Sequence, residues 1–274
     1  MEYLRGYRAL REDPDWGSKL LTATLLFLST AFIPIIGQIV LTGFQALILR
    51  RAVRGRRAPM PRLDWDFQYL GKLLGVGFKG FVVRFLWTLP LLFVVGALFF
   101  CLYFAMVLAV VGMAESGGDE AVPVLLLSCF AIGSLTFIPL TVLLMIPANV
   151  AAMRAELTDD INQGLKFKEV IAFSRQHLGV LFKGSLALYL ANLGLVLLGI
   201  LACYVGAFAA ASVGLVAHAH FMAQVYQLHV ESGGEALPVA PDDVDTPAPG
   251  LAPQLPPQGA APPQAGGWGQ PPGA

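Results

Sequence analysis

Charged residues are scarce in this chain. Asp, Glu, Lys and Arg together make up 13% of the 274 residues, whereas apolar residues make up 56%, and the mean hydropathy is +0.68. In soluble domains about a quarter of all residues are charged. The low charge content excludes an ordinary soluble protein and indicates a polytopic membrane protein.

The chain also lacks the motifs of common enzymes. Its three cysteines lie singly in apolar runs without a C-x-x-C pair, as small buried hydrophobes do. No P-loop, G-x-S-x-G or H-E-x-x-H is present, and His218 and His220 point to different sides of a helix, so the two alone cannot share one metal ion. We therefore expect no catalytic, cofactor-binding or metal-binding residues, no cofactor and no enzymatic activity.

Four apolar runs exceed the roughly 20 residues that a helix needs to cross a bilayer. They are residues 20–49, 85–113, 121–153 and 185–230, and the last is long enough for two spans. The stretch "PIIG" at 34–37 divides the first run into two short spans. We predict an all-α integral membrane protein with about six transmembrane helices in hairpins. Five spans are the alternative, because "FIP" at 32–34 recurs inside the third run at 137–139.

The few charges are strongly segregated. The loop 50–62 carries six Arg and no acid, whereas the loop 114–121 carries three acids and no base. By the positive-inside rule, the loop 50–62 is cytoplasmic and the acidic loop lies on the opposite side. Basic residues in 1–19 favour a cytoplasmic N-terminal segment, and six Arg beside a span are explained by topology and anionic lipid rather than by nucleic acid.

An offset of 104 residues relates two parts of the chain. "LGVGFKG" at 74–80 recurs as "LGVLFKG" at 178–184, and the same offset pairs Arg50 with Arg154 and Gln45 with Asn149. This predicts an internal duplication within a membrane domain at 20–231, with repeat one at about 20–113 and repeat two at about 121–230. The second copy loses the middle glycine of the G-x-G-x-x-G spacing, which argues against a dinucleotide-binding loop.

Each copy carries an amphipathic segment before a long apolar run. In 64–81, apolar and polar residues follow separate stripes at helical spacing, and the second copy places Gln176, Gly179 and Lys183 on one stripe. We predict two cytoplasmic interfacial helices whose cations reach lipid head groups. The candidate contacts with anionic lipid are Arg50, Arg51, Arg54, Arg56, Arg57, Lys72, Lys79 and Lys183.

Several amides lie in or near apolar runs. Amides at membrane depth are costly unless they bond to another helix or line a wet cavity. We therefore expect these side chains in the bundle interior, joining helices or, alternatively, lining a substrate pathway. The candidates are Gln45, Asn149, Asn192 and Gln224.

We expect the charged residues close to the spans to lie at the interface or in solvated loops. Arg84 is expected to extend towards the cytoplasmic interface. Glu156, Asp159 and Asp160 are expected in a solvated loop, with Thr158 or Asp159 as a helix N-cap. Every acid is then outside the spans, which weighs against solute transport coupled to protons or sodium.

From residue 232 the composition changes. Residues 232–274 hold 11 of the 19 prolines, together with Gly, Gln and Ala. We predict a disordered, Pro/Gly/Gln/Ala-rich cytoplasmic tail that binds a protein partner.

The motif order resembles a known family. "DPDWGSKLL", the stretch from "FIPIIG" through the basic loop to "LGVGFKG", and "LWTLPLL" are similar to the uncharacterised prokaryotic membrane family named domain of unknown function (DUF) 4013. The likeness covers roughly residues 13–230. It implies a helical protein of the plasma membrane and brings no activity or site residues.

From these features we expect a non-enzymatic membrane scaffold or interaction protein, held by anionic lipid and presenting its tail to a partner. The alternative is a transporter of a small molecule or lipid, favoured by the repeat, the amides and the prolines within the spans.

Overall fold

The computed structural model describes residues 5–30, 32–33, 35–56, 59–115, 122–202 and 204–244. All regular structure in these ranges is helical, which confirms the predicted all-α class. The helices in chain order are α1 (Arg5–Glu12), α2 (Trp16–Ser29), α3 (Ile36–Val53), α4 (Phe67–Glu115), α5 (Val122–Thr158), α6 (Ile161–Gly164), α7 (Phe167–Gln176), α8 (Leu178–Ala202) and α9 (Tyr204–Glu231).

Five of these helices, α3, α4, α5, α8 and α9, are long and apolar enough to cross a membrane. The predicted break in the first apolar run is present, because α2 ends at Ser29 and α3 begins at Ile36. At 14 residues, α2 is about 21 Å long and shorter than a bilayer core of about 30 Å. The short α2 and the five long helices follow one another in the chain as α2–α3, α4–α5 and α8–α9.

Long-range contacts join the ends of these pairs at one side of the bundle. The Lys19 ammonium donates to the Met60 carbonyl at 3.1 Å, and it also pairs with Asp13 at 2.8 Å. His177 and His229 approach to 3.1 Å. We call this side the loop face, comprising residues 13–19, 50–56, 59–66, 156–178 and 229–244.

The loop face is held together partly by the buried Asp13. Burial by itself raises the pKa of this carboxyl, but hydrogen bonds from Lys19 and from the Met60 and Asp15 amides favour the ionised form. The net result is a pKa below its ordinary value. Asp13 therefore remains a carboxylate that ties the start of α2 to the loop after α3.

Helices α3 and α4 approach at two glycines. A Cβ at Gly43 would lie 2.1 Å from the Leu73 carbonyl oxygen, and a Cβ at Gly77 would lie 1.9 Å from the Ile39 carbonyl oxygen. The backbones thus meet where neither residue has a side chain, as small residues permit between membrane helices. The middle glycine of "GVGFKG" serves this contact, and its counterpart in the second copy is the buried Leu181.

The predicted interfacial helices differ from the observed ones. The segment 64–81 does not form a separate helix, because α4 runs unbroken from Phe67 to Glu115 and buries Leu70 and Leu73 in the bundle core. In the second copy the amphipathic segment is divided at His177 between α7 and α8. Of the predicted apolar stripe, Leu70 packs in the protein core, whereas Phe67 and Phe78 are exposed.

The predicted start of the disordered tail is also corrected. Residues 232–244 lie along the loop face in an extended conformation, and Leu237 is buried with its amide donating to the Tyr226 hydroxyl at 2.7 Å. The Ala240 amide donates to the Leu157 carbonyl at 2.7 Å. The remaining predicted tail, 245–274, lies outside the described residues.

Asp242 fastens this C-terminal segment to the basic loop. Its carboxylate lies 2.7 Å from a nitrogen of Arg54, 3.3 Å from Arg56 and 3.7 Å from Arg51. One mostly buried carboxylate is shared by three guanidinium groups. The segment therefore covers much of the charge that defines the basic loop.

The glycine contact between α3 and α4 predicts a position-specific loss of stability. Gly77→Ala should destabilise the bundle by about 1–3 kcal/mol, because the new methyl group overlaps the Ile39 carbonyl. Gly75→Ala is the matched control in the same helix, since a Cβ there meets nothing within 4 Å. It should be neutral or gain up to about 1 kcal/mol from helix propensity. Thermal unfolding in detergent, followed by size-exclusion chromatography, measures both; equal melting temperatures would contradict the close contact.

Asp242 predicts protection of the basic loop against protease. Asp242→Asn should weaken the segment by about 1 kcal/mol and raise trypsin cleavage after Arg54 or Arg56 roughly fivefold. Glu235→Gln removes the same charge from an exposed position on the same segment and should leave cleavage unchanged. Mass spectrometry of timed digests gives both rates, and equal rates would show that Asp242 does not hold the segment.

Candidate functional site: a polar cavity beside a buried ion network

A cavity of about 540 Å³ lies within the helical bundle. Residues of α2, α3, α4, α5, α8 and α9 line it. Its polar lining consists of Gln38, Gln45, Arg84, Thr141, Asn149, Ser185, Tyr189, Asn192 and His218. Phe27, Phe137 and aliphatic side chains line the rest. The volume falls within the range of small-molecule sites, which combine apolar walls with a few polar groups.

The structure brings three of the four predicted interior amides to this cavity. Gln45 comes from α3, Asn149 from α5 and Asn192 from α8. Gln224 is not part of the lining; its amide lies on α9, 3.5 Å from the His220 carbonyl oxygen. The two amides related by the 104-residue offset, Gln45 and Asn149, therefore share one cavity although they lie on different helices.

A buried carboxylate lies beside the cavity. Glu156, near the end of α5, is 1% exposed. Its Oε1 lies 3.2 Å from a terminal nitrogen of Arg84, and its Oε2 accepts from the Gln45 amide at 3.3 Å. Its backbone carbonyl accepts from Nε of the buried Arg50 at 2.6 Å. Glu156 thus joins α3, α4 and α5 at one point.

The network continues to the loop face through Asp159. The Asp159 carboxylate accepts from Arg50 at 3.1 Å and from Lys79 at 2.5 Å. Asp159 has a φ of 56°, in the left-handed region where Asp is tolerated better than most side chains. The turn after α5 is therefore shaped so that its carboxylate meets cations from α3 and α4. We call Arg50, Lys79, Arg84, Glu156 and Asp159 the ion network.

Several predictions about these charges were wrong. Glu156 is not in a solvated loop, because the end of α5 is packed against α3 and α4. Arg84 does not extend freely to the interface but pairs with Glu156. The helix N-cap is Asp160, which accepts from the Asn162 amide at the start of α6, rather than Thr158 or Asp159. The statement that every acid lies outside the long apolar helices therefore fails at Glu156.

Five of the eight cations predicted to contact lipid pair with protein carboxylates, although Arg56 among them keeps 69% of its side chain exposed. Arg50 is 3% exposed, so its guanidinium is not accessible to a lipid head group, and Lys79 pairs with Asp159. Asp242 binds the cations of the basic loop, namely Arg51, Arg54 and Arg56. Arg57 lies outside the described residues. Lys72 and Lys183 are exposed on α4 and α8.

Two cavity-lining residues each have a buried polar atom without a protein partner among the described residues. Arg84 Nε is a buried donor, and Asn192 Oδ1 is a buried acceptor. Asn192 packs against α9 at Gly214, where an added Cβ would lie 2.5 Å from the same Oδ1. Buried polar atoms are normally bonded, so these two atoms are costly for the bundle.

The histidines do not form a shared metal site. His218 lines the cavity, whereas His220 is buried in the bundle core. In the part of the chain that the structure describes, no three His, Cys, Asp or Glu side chains are grouped to hold a metal ion. His229 approaches His177, and both rings contact Phe173.

The burial of Glu156 was not predicted, because its charge and its loop-like neighbours in the sequence both favour an exposed position. Its spacing carried a signal: Glu156 follows Asn149 by seven residues, two turns along one helix face. A carboxylate on the same face as an interior amide is expected to point inward too. Arg84, a lone cation at the start of an apolar run, was the matching half of the pair.

Comparison with known proteins agrees with the family resemblance. A model of the family described as "Protein of unknown function (DUF4013)" matches residues 26–208, more than half of the chain. The protein therefore belongs to this family. No curated protein and no solved structure gives a significant match. The matched range contains the whole ion network, whereas Asp242 and its segment lie beyond it.

The buried His177 predicts a pH-dependent stability. Burial lowers the pKa of His177 below its ordinary value of 6.5, because the charged ring loses hydration. The unfolded chain then takes up the proton first, so the stabilising contribution is complete above pH 6.5 and is lost as the pH falls towards the lower folded-state pKa. The melting temperature in detergent should fall between pH 7 and pH 5. His177→Gln should flatten this slope, and an unchanged slope in that variant would assign the pH dependence to other groups.

Proposed function

We propose that this member of the family is a multi-pass membrane protein that binds a small polar solute in its central cavity and passes it across the bilayer. The proposal places it in the inner membrane with the loop face in the cytoplasm, and it assigns the protein no enzymatic activity. The observation that carries it is the cavity itself: a space of about 540 Å³ with nine polar side chains that come from five long apolar helices.

Burial costs support a binding role for this cavity. Amide side chains at membrane depth are costly unless they bond to protein, water or a ligand. Gln45 bonds to Glu156, whereas Asn149 and Asn192 face a space large enough for a solute. A bundle that served only as a framework would close this space with apolar side chains, as protein interiors do.

The ion network weakens the main argument against transport. Transporters often use a buried carboxylate to couple solute movement to an ion or proton. Glu156 supplies a carboxylate buried in the protein at the loop-face end of α5, and its partners Gln45 and Arg84 line the cavity. A rearrangement of α3, α4 and α5 would break and remake the polar contacts Gln45–Glu156 and Arg84–Glu156.

A scaffold role is less well supported by the geometry. Its sequence basis was a free C-terminal tail, but residues 232–244 bind the protein's own basic loop through Asp242. Lys72 and Lys183 are exposed and remain candidates for binding anionic lipid. A protein partner for residues 245–274 stays a prediction.

Access from both sides of the membrane tests the transport proposal without knowledge of the solute. Ser185 lines the cavity and differs from Cys in one atom, so Ser185→Cys in a background with Cys101, Cys129 and Cys203 changed to Ala is a mild reporter. We expect it to react with membrane-impermeant methanethiosulfonate reagents in both right-side-out and inverted vesicles. The reagents are the anionic sulfonatoethyl compound (MTSES) and the cationic trimethylammonioethyl compound (MTSET). Mass spectrometry measures the extent of reaction.

Ala187→Cys is the matched control. Ala187 lies two residues further along α8 and is exposed on the outside of the bundle, where the proposal places lipid. It should react from neither side. Reaction of Ser185→Cys from one side only would show a static pocket and contradict transport, and no reaction with either reagent would contradict a water-filled cavity.

A further inference from the structure

We infer that the cavity selects small organic anions with a single negative charge, such as monocarboxylates, and that Arg84 binds the anionic group. This rests on the proposed function, since it names the solute class of the same cavity.

The charge of the lining favours an anion. Among the described residues that line the cavity, Arg84 is the one Lys or Arg side chain, and no Asp or Glu is present. Glu156 contacts Arg84 from outside the lining. A guanidinium at an apolar wall attracts anions more strongly than the same group in water, because the surrounding dielectric constant is low.

The neighbouring charges do not cancel that of Arg84. The ion network contains three cations, Arg50, Lys79 and Arg84, and two carboxylates, Glu156 and Asp159. One positive charge is left over within this connected group. A solute with one negative charge balances the network. Phosphate monoesters carry a charge of about −1.5 to −2 at neutral pH, which is more than one positive charge can neutralise. A monocarboxylate carries one negative charge and neutralises the network.

The lining offers an organic anion both a charge and apolar surface. Arg84 lines the cavity, and a guanidinium group forms its strongest hydrogen bonds with a carboxylate. Phe27 and Phe137 provide apolar surface for the rest of the solute. The lining thus favours an organic anion with an apolar group over a cation or a neutral polyol.

The rate of cysteine modification tests the charge preference. Ser185→Cys, in the cysteine-free background and in nanodiscs, is treated with MTSES and with MTSET, and each rate is divided by that reagent's rate with 2-mercaptoethanol. At low ionic strength MTSES should react about tenfold faster than MTSET after this correction. Adding Glu156→Gln should raise the ratio, because Arg84 loses its neutralising partner. Arg84→Lys should keep the preference and Arg84→Gln should abolish it.

Protection by a probe tests the solute class directly. Mandelate carries a carboxylate, a hydroxyl group and a phenyl ring, and mandelamide is its neutral analogue. Mandelate should slow the reaction of Ser185→Cys with the neutral reagent methyl methanethiosulfonate at least about threefold at concentrations where mandelamide does nothing, in keeping with a charge-assisted hydrogen bond. Methyl phosphate should protect less than mandelate does.

The outcomes separate this inference from the proposed function. If neither charged reagent modifies Ser185→Cys, the water-filled cavity itself is absent. If both react at equal corrected rates, or if mandelamide protects as well as mandelate, the cavity remains and the anion selectivity is wrong. Arg84→Gln leaves Glu156 buried without its cation and risks misfolding. The double variant Arg84→Gln with Glu156→Gln avoids that charge and should also lose the preference; an unchanged ratio in it overturns the role of Arg84.

Discussion

The arrangement of this bundle depends on one buried carboxylate, that of Glu156. Three helices contribute to its surroundings: Gln45 and Arg50 from α3, Arg84 from α4, and the end of α5 itself. A buried charge without partners costs several kcal/mol. The helices must therefore be placed so that Gln45 and Arg84 reach the carboxylate while Arg50 reaches the Glu156 backbone carbonyl. The cavity lies where Gln45 and Arg84 form part of its lining.

Glycines make this convergence sterically possible. Gly43 and Gly77 let α3 and α4 touch through their backbones, and at Gly80 a Cβ would lie 2.8 Å from Glu156 Cγ. A larger residue at that position would displace the Glu156 side chain, which bonds to Gln45 and Arg84. The "GVGFKG" stretch thus functions in helix packing, and its two later glycines set the distance between α4 and its neighbours.

Sequence reasoning predicted the helical class, the long apolar helices, the break before α3 and the family, because each depends on composition or on residues close in sequence. It predicted interior positions for the amides Gln45, Asn149, Asn192 and Gln224, of which the first three line the cavity. It misjudged Glu156, Arg84 and Arg50, because partners such as Arg50 and Glu156 are 106 residues apart and no local pattern reports such a pairing. The order of residues 232–244 was missed for the same reason: proline-rich composition predicts disorder, whereas the anchor is one Asp facing three distant Arg.

The buried ion network is poorly explained by stability alone. Replacement of a buried ion pair by well-packed apolar residues is often neutral or stabilising by about 1–4 kcal/mol, and in a bilayer the desolvation cost of the charges is larger still. A bundle selected only for stability would place Leu or Phe at Gln45, Arg84 and Glu156. The network instead retains a positive surplus and has a cavity at its edge, lined by Arg84. Both features are costly in a bundle without a guest molecule, and this cost is the physical argument on which the proposed binding of an anion rests.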